Sequence, residues 1–81
     1  MTVTHDIRDQ IEKIDEQIVD LLAQRVTLMQ ESLEDEEPLG PETDIDTIAQ
    51  WEGMAEERDW NMTTMANICK WVLKLCRNVG E

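Results

Sequence analysis

Between Ile7 and Glu31 the chain reads IRDQIEKIDEQIVDLLAQRVTLMQE, with no proline or glycine. Apolar side chains recur at Ile7, Ile11, Ile14, Ile18, Leu21 and Leu28, in alternating steps of four and three. Residues three and four apart share a helix face, so this period predicts one long helix with a single apolar stripe. One position breaks the stripe. Arg25 stands where the spacing asks for an apolar residue. A cation in a buried stripe is costly unless an anion meets it there. Which anion meets Arg25 is the question that the rest of the chain bears on.

The helix is expected over residues 4–32, with Thr4 as a plausible N-cap and Asp6 and Asp9 in its first turns, where acid suits the helix dipole. That is about 42 Å of helix. Arg8 with Glu12, and Asp9 with Lys13, are spaced to pair along it. Residues 33–43, LEDEEPLGPET, gather acids, two prolines and a glycine, and read as a loop. A second helix is expected over 44–58. Thr43 and Asp46 resemble a capping box, and Ile45, Ile48, Trp51 or Met54, and Ala55 supply one apolar face. Gly53 weakens it locally. A third helix over 61–79 would be capped by Asn61 and closed at Gly80. Met62, Met65, Cys69, Val72, Cys76 and Val79 form its stripe, widened by Ile68, Leu73 and Leu75. Lys70, Lys74 and Arg77 make a second, cationic stripe.

The expected fold class is therefore all-α, with one domain spanning residues 1–81. A single core of 81 residues is marginal alone. The first helix is far longer than the other two, which leaves much of its stripe uncovered. A second copy of the chain, in an intertwined homodimer, would cover it.

Charge narrows the partners. The formal net charge is −12, from nineteen acids against seven Lys and Arg. Such a surface repels nucleic acid and anionic membranes. Residues 1–60 carry a net −14 and residues 61–81 a net +2. The C-terminal segment is thus expected to face acids of another helix or another chain. No run approaches transmembrane length and the N-terminus lacks a signal peptide's apolar core, so a cytoplasmic protein is expected. Cys69 and Cys76 lie roughly 10 Å apart on one helix, too far for a disulfide. They are expected as small buried residues of a reducing compartment.

The pattern I-R-D-x-I-x-x-I-D-x-x-I-x-x-L-L-A-x-R, from Ile7 to Arg25, resembles the first helix of the all-helical chorismate mutases. The long, short, medium order of helices also suits that class. Over the remaining two-thirds the likeness rests on helix layout and on Asp44-Ile45-Asp46. The resemblance implies an interlocked homodimer and the pericyclic conversion of chorismate to prephenate in aromatic amino acid biosynthesis, without metal or cofactor. It implies that Arg8 and Arg25 bind the two substrate carboxylates. These residues are 17 apart, roughly 25 Å along one helix. One small ligand can touch both only if they come from two chains, as in an antiparallel pairing of first helices. Asp44 matches an acid that contacts the hydroxyl side of the substrate.

The rest of the family's site departs. Its lysine after the first helix falls near Glu36, and there is no Lys or Arg between Arg25 and Arg58. Its Arg-Glu pair falls on Thr47 and Ile48. Its small hydroxyl falls near Cys76, and its terminal Gln or Glu near Gly80. The donors to the ether oxygen are missing, and the acids Glu34, Asp35, Glu36 and Glu37 stand where a cation belongs. Weak or lost activity is expected. Lys74 or Arg77 offers one rescue, if a small rotation of the third helix brings it to the pocket.

Blander readings stand beside these. Arg25 can snorkel, or pair with Asp44 or Asp46 of another chain. Arg8 can serve only its helix pair with Glu12. Residues 34–37 lack the spaced ligands and glycine of a calcium loop, and His5 with two distant cysteines does not make a zinc site. Trp51, Trp60 and Trp71 can line a ligand or plug the ends of a helical core. Two functions remain open: a divergent mutase, or a non-catalytic dimeric ligand-binding or regulatory module on the same fold.

Overall fold

The computed structural model describes residues 3–80, with side chains from residue 6 onward. Three helices follow in order: α1 (Val3–Leu33), α2 (Pro41–Glu57) and α3 (Met62–Arg77). Among the described residues there is no strand. α1 runs unbroken for 31 residues, roughly 46 Å of helix. It accounts for most of the 55 Å long axis of the molecule. Thr4 already lies inside α1. Whether its side chain caps the helix, and what His5 does, fall outside the described side chains.

α2 begins at Pro41, earlier than the sequence pattern predicts. Gly40, in extended conformation, is its N-cap, and no side chain caps it. Proline is well placed in a first turn, because its missing N–H has no partner there anyway. Thr43 is therefore inside the first turn: its N–H donates to the Gly40 carbonyl at 3.0 Å. Its own carbonyl accepts from the Thr47 hydroxyl at 2.9 Å. The expected capping box at Thr43 does not form.

α2 and α3 make a tight hairpin. The Trp60 N–H returns to the Ala55 carbonyl at 2.9 Å, and the Asp59 N–H to Glu56 at 3.1 Å. Those two bonds close a Schellman motif. Asp59 takes the left-handed position at φ 57° that glycine usually fills. Asn61 then caps α3 as its sequence position suggests, accepting the Thr64 N–H at 2.8 Å. α3 ends at Arg77, and Gly80 sits beyond it with φ 90°.

α3 is the central element and packs against both α1 and α2. The buried residues are Met29, Ala55, Ala66, Cys69, Val72, Leu73 and Cys76. Among the described side chains five belong to α3, and α1 and α2 supply one each, Met29 and Ala55. Leu22, Val26 and Trp51 pack against the cluster of Met29, Val72 and Cys76. Both cysteines are free and buried, as the helical spacing predicts.

Among the described side chains, the N-terminal half of α1 contributes nothing to this core. Ile7, Ile11, Ile14 and Ile18 are each about half exposed, and Leu21 and Leu28 more so. An isoleucine half exposed on a helix is one whose outward face meets no other element. The apolar stripe that dominates the sequence is thus bare in the single chain.

Candidate functional site

Arg25 is carried by α1 beside the C-terminal turns of α3. Its guanidinium is half-buried and donates from Nη1 to the Cys76 Sγ at 3.2 Å. One turn further along α1, the Gln30 amide donates to the Cys76 carbonyl at 2.6 Å. That bond satisfies a carbonyl near the C-terminal end of α3, where helix carbonyls lose their intrahelical partners. α1 and α3 are therefore joined by two polar contacts that converge on one residue. Neither contact is signalled by periodicity, because Gln30 looks like an ordinary exposed helix residue.

No carboxylate pairs with Arg25 among the described residues. A guanidinium has five N–H donors, and a thiol is a weak acceptor for one of them. The positive charge is nevertheless felt locally. Burial pushes the Cys69 thiol above its usual range, and the Arg25 charge partly offsets that shift.

Arg77 has the opposite fate. Its Nε donates to Asp44 Oδ2 at 2.7 Å and its Nη2 to Asp44 Oδ1 at 2.7 Å. The same Nη2 reaches the Leu39 carbonyl at 3.1 Å and the Gly40 carbonyl at 3.4 Å. Both side chains are mostly shielded, at 23% and 21% exposure. Two parallel charge-assisted bonds in that geometry are strong and directional. The Asp44 hydrogen bond holds the Arg77 pKa above the usual arginine value. Ser32 ties the other end of the connection, accepting the Leu39 N–H at 3.1 Å. The acidic loop is thus fastened to α3, α2 and α1.

This clamp changes the expected site. Asp44 was expected to meet the substrate, but both its oxygens are engaged by Arg77. Arg77 was one of two rescue cations, and it is consumed by Asp44 and two carbonyls. Arg25, for which the sequence offers Asp44 or Asp46 of another chain as alternative partners, meets no carboxylate of its own chain among the described residues. Lys74, the other rescue cation, lies on the exposed side of α3, with Nζ 5.1 Å from the centre of the Trp71 ring. Cys76 is fully buried on the opposite side of the same helix. Arg8 is highly exposed and sits 3.7 Å from Glu12 as a loose helix pair. Among the described residues of one chain, the sequence-predicted site residues meet in two separate pairs, Arg25 with Cys76 and Arg77 with Asp44.

The tryptophans divide. Trp51 packs against the core, whereas Trp60 and Trp71 are largely exposed. Each exposed ring carries a cation, Arg58 at 5.7 Å and Lys74 at 5.1 Å. A shallow apolar groove of about 520 Å³ runs between α1 and α3, lined by Val19, Leu22, Ala23, Val26, Thr27 and Leu75. Neither Arg25 nor Arg8 lines it. Among the described residues no group of three or more His, Cys, Asp or Glu stands where it could hold a metal ion. No described helix is long and apolar enough to cross a membrane.

Compared with known proteins, the chain matches no family model, no curated protein and no solved structure.

Proposed function

We propose that this chain is a chorismate-mutase-like protein that works as an antiparallel homodimer. In this reading α1 of each copy covers the bare stripe of the other. A small dicarboxylate such as chorismate binds between Arg25 and Arg8 of the partner subunit. The observation that carries the reading is Arg25: a half-buried guanidinium, next to an open apolar stripe, with only a thiol as partner. A carboxylate is the acceptor that such a fork suits best.

The reaction itself is slow or lost in this proposal. A pericyclic rearrangement of a dianion needs its reactive conformation held and charge stabilised at the breaking ether oxygen. Removing one such donor costs roughly 10²–10³ in rate, by analogy with an oxyanion-hole donor. Glu36, Thr47, Ile48 and Gly80 offer none at the corresponding positions. The Cys76 thiol is a weak donor, and Arg77 is held by Asp44.

A second reading is a non-catalytic dimeric binding or regulatory module on the same framework. The engagement of Arg77 and Asp44 with each other favours it, because that pair acts as a fastener of the loop. Chorismate consumption by the purified protein, with Arg25→Ala as control, separates the two. Turnover that vanishes in the variant supports the enzyme. Absence of turnover, with a ligand-induced rise in melting temperature that needs Arg25, supports the binding module. Absence of both sinks the carboxylate site.

A further inference from the structure

The two free lysines of α3 meet no acid among the described residues. Residues 61–81 carry a net +2 against −14 in residues 1–60, yet of their cations only Arg77 pairs with a carboxylate there. Lys70 and Lys74 are both exposed, and α3 contains no Asp or Glu. They stand four residues apart, one turn, on the same side of the helix. Trp71 lies beside them at 68% exposure, with the Lys74 Nζ 5.1 Å from the centre of its ring. The chain has three tryptophans and no Phe or Tyr, so this ring is a large share of its aromatic surface left in water.

The face that carries them points away from the core. Cys69, Val72, Leu73 and Cys76 turn α3 toward α1 and α2. Asn67, Trp71, Lys74 and Asn78 follow at steps of four, three and four on the opposite side. This face is distinct from the bare stripe, which belongs to α1. Two shallow depressions of about 240 and 270 Å³ adjoin Trp71. Lys74, Leu75 and Asn78 border the first, and Asn67, Lys70 and Lys74 the second. Leu75 is 43% exposed. One side of Trp71 is therefore apolar and the other cationic.

We infer that this outer face of α3 docks an acidic amphipathic helix of a partner protein. Carboxylates three or four residues apart on the partner meet Lys70 and Lys74, and an adjoining row of aliphatic side chains covers Trp71 and Leu75. Trp71 is the anchor, because a large ring with little rotamer freedom to lose buries much area on association. Asn67 and Asn78 supply amides for the polar rim. Charge complementarity selects this occupant over a larger anion. Two lysines attract a short acidic segment at close range, within a screening length of about 8 Å at physiological salt. A nucleic acid or an anionic bilayer extends beyond that patch and meets the net charge of −12 of the whole chain. The inference stands apart from the carboxylate site at Arg25 and from the homodimer.

The test titrates the full, isotopically labelled chain with a synthetic helical peptide of leucine and glutamate in amphipathic pattern. Amide shifts are expected to concentrate at Asn67, Lys70, Trp71, Lys74, Leu75 and Asn78, and affinity to fall as salt rises. Trp71→Ala is expected to cost roughly tenfold or more in affinity, the scale of an interface anchor, with the melting temperature unchanged because the ring is exposed. Lys70→Glu combined with Lys74→Glu is expected to lose this peptide and to gain one with lysine in place of glutamate, a swap that a misfolded variant would not show. No binding, shifts on the α1 stripe instead, or full affinity in Trp71→Ala overturns the inference. Tighter binding of phosphatidylserine vesicles or of a single-stranded oligonucleotide assigns the face to lipid or nucleic acid and overturns it too. A change in the sedimentation of Trp71→Ala without peptide means that a second copy covers the face, which also overturns it.

Discussion

The two halves of α1 share one sequence pattern and meet different fates. From Leu22 onward the helix packs on α3: Met29 is 6% exposed, Leu22 and Val26 are half-buried, and Arg25 and Gln30 both bond Cys76. From Ile7 to Leu21 the apolar stripe meets no other element, with Ile14 52% exposed, and its last member, Leu28, stays bare at 66% beside the packed row of Leu22, Val26 and Met29. The difference lies in what is available to cover them. α2 and α3 are 17 and 16 residues long, so each spans roughly half the length of α1. A hairpin that short can cover only one end of a 31-residue helix. The uncovered end keeps its isoleucines because, in the proposed assembly, a second copy supplies the missing surface.

The largest expected effect comes from charging the bare half. Ile14→Asp should raise the dimer dissociation constant by roughly 10²–10⁴. Each copy loses about 1.5–3 kcal/mol of burial and symmetry doubles the loss. Sedimentation equilibrium reads it, and unchanged association would show that the stripe is not the interface. Met29→Ala strikes the packed half instead and should lower unfolding stability by roughly 2–4 kcal/mol, measured in denaturant. A loss as large from Ile14→Ala in a dilute, monomeric sample would erase the contrast between the halves.

Arg77→Ala should lower stability by roughly 1–3 kcal/mol, because it leaves the shielded Asp44 carboxylate without its two charge-assisted bonds. Hydrogen exchange should quicken in the first turn of α2 and in the 34–40 connection before the rest of the hairpin. Arg25→Met should change the melting of the unliganded chain by less than about 1 kcal/mol, since only a thiol contact is lost. Its effect is expected on carboxylate binding, read by calorimetry, where wild-type affinity in the variant would reject Arg25 as an anchor. The smallest effect is a gain. Asp59→Gly should stabilise by roughly 0.5 kcal/mol, because residue 59 sits at φ 57° in the α2–α3 turn. It should leave assembly unchanged, which makes it a control for stability without a change at the seam.

Much of the architecture was legible in the chain. The period of Ile7–Leu28 marks α1, and Asn61 marks the start of α3, because a capping side chain and a 3.6-residue period are local properties. The start of α2 is hidden from the sequence pattern because Thr43 and Asp46 imitate a capping box, whereas Pro41 and Gly40 set the first turn. The candidate site was less legible. Arg25 stands out by breaking a period, and the structure places it against Cys76. Asp44 and Arg77 are 33 residues apart, and no local pattern predicts that they choose each other.

The amino-acid sequence by itself determined three helices, the long apolar stripe with a cation inside it, and the strongly acidic surface. These follow from periodicity and composition, which need only neighbours along the chain. Tertiary structure alone decided that Leu22, Val26 and Met29 beside the stripe meet α3 while the stripe itself stays bare, that Arg77 rather than Arg25 takes Asp44, and that Lys74 turns outward over Trp71. Those outcomes depend on how α3 is rotated between α1 and α2, and that rotation is set by the packing of Cys69, Val72, Leu73 and Cys76 across distances the sequence pattern does not reach.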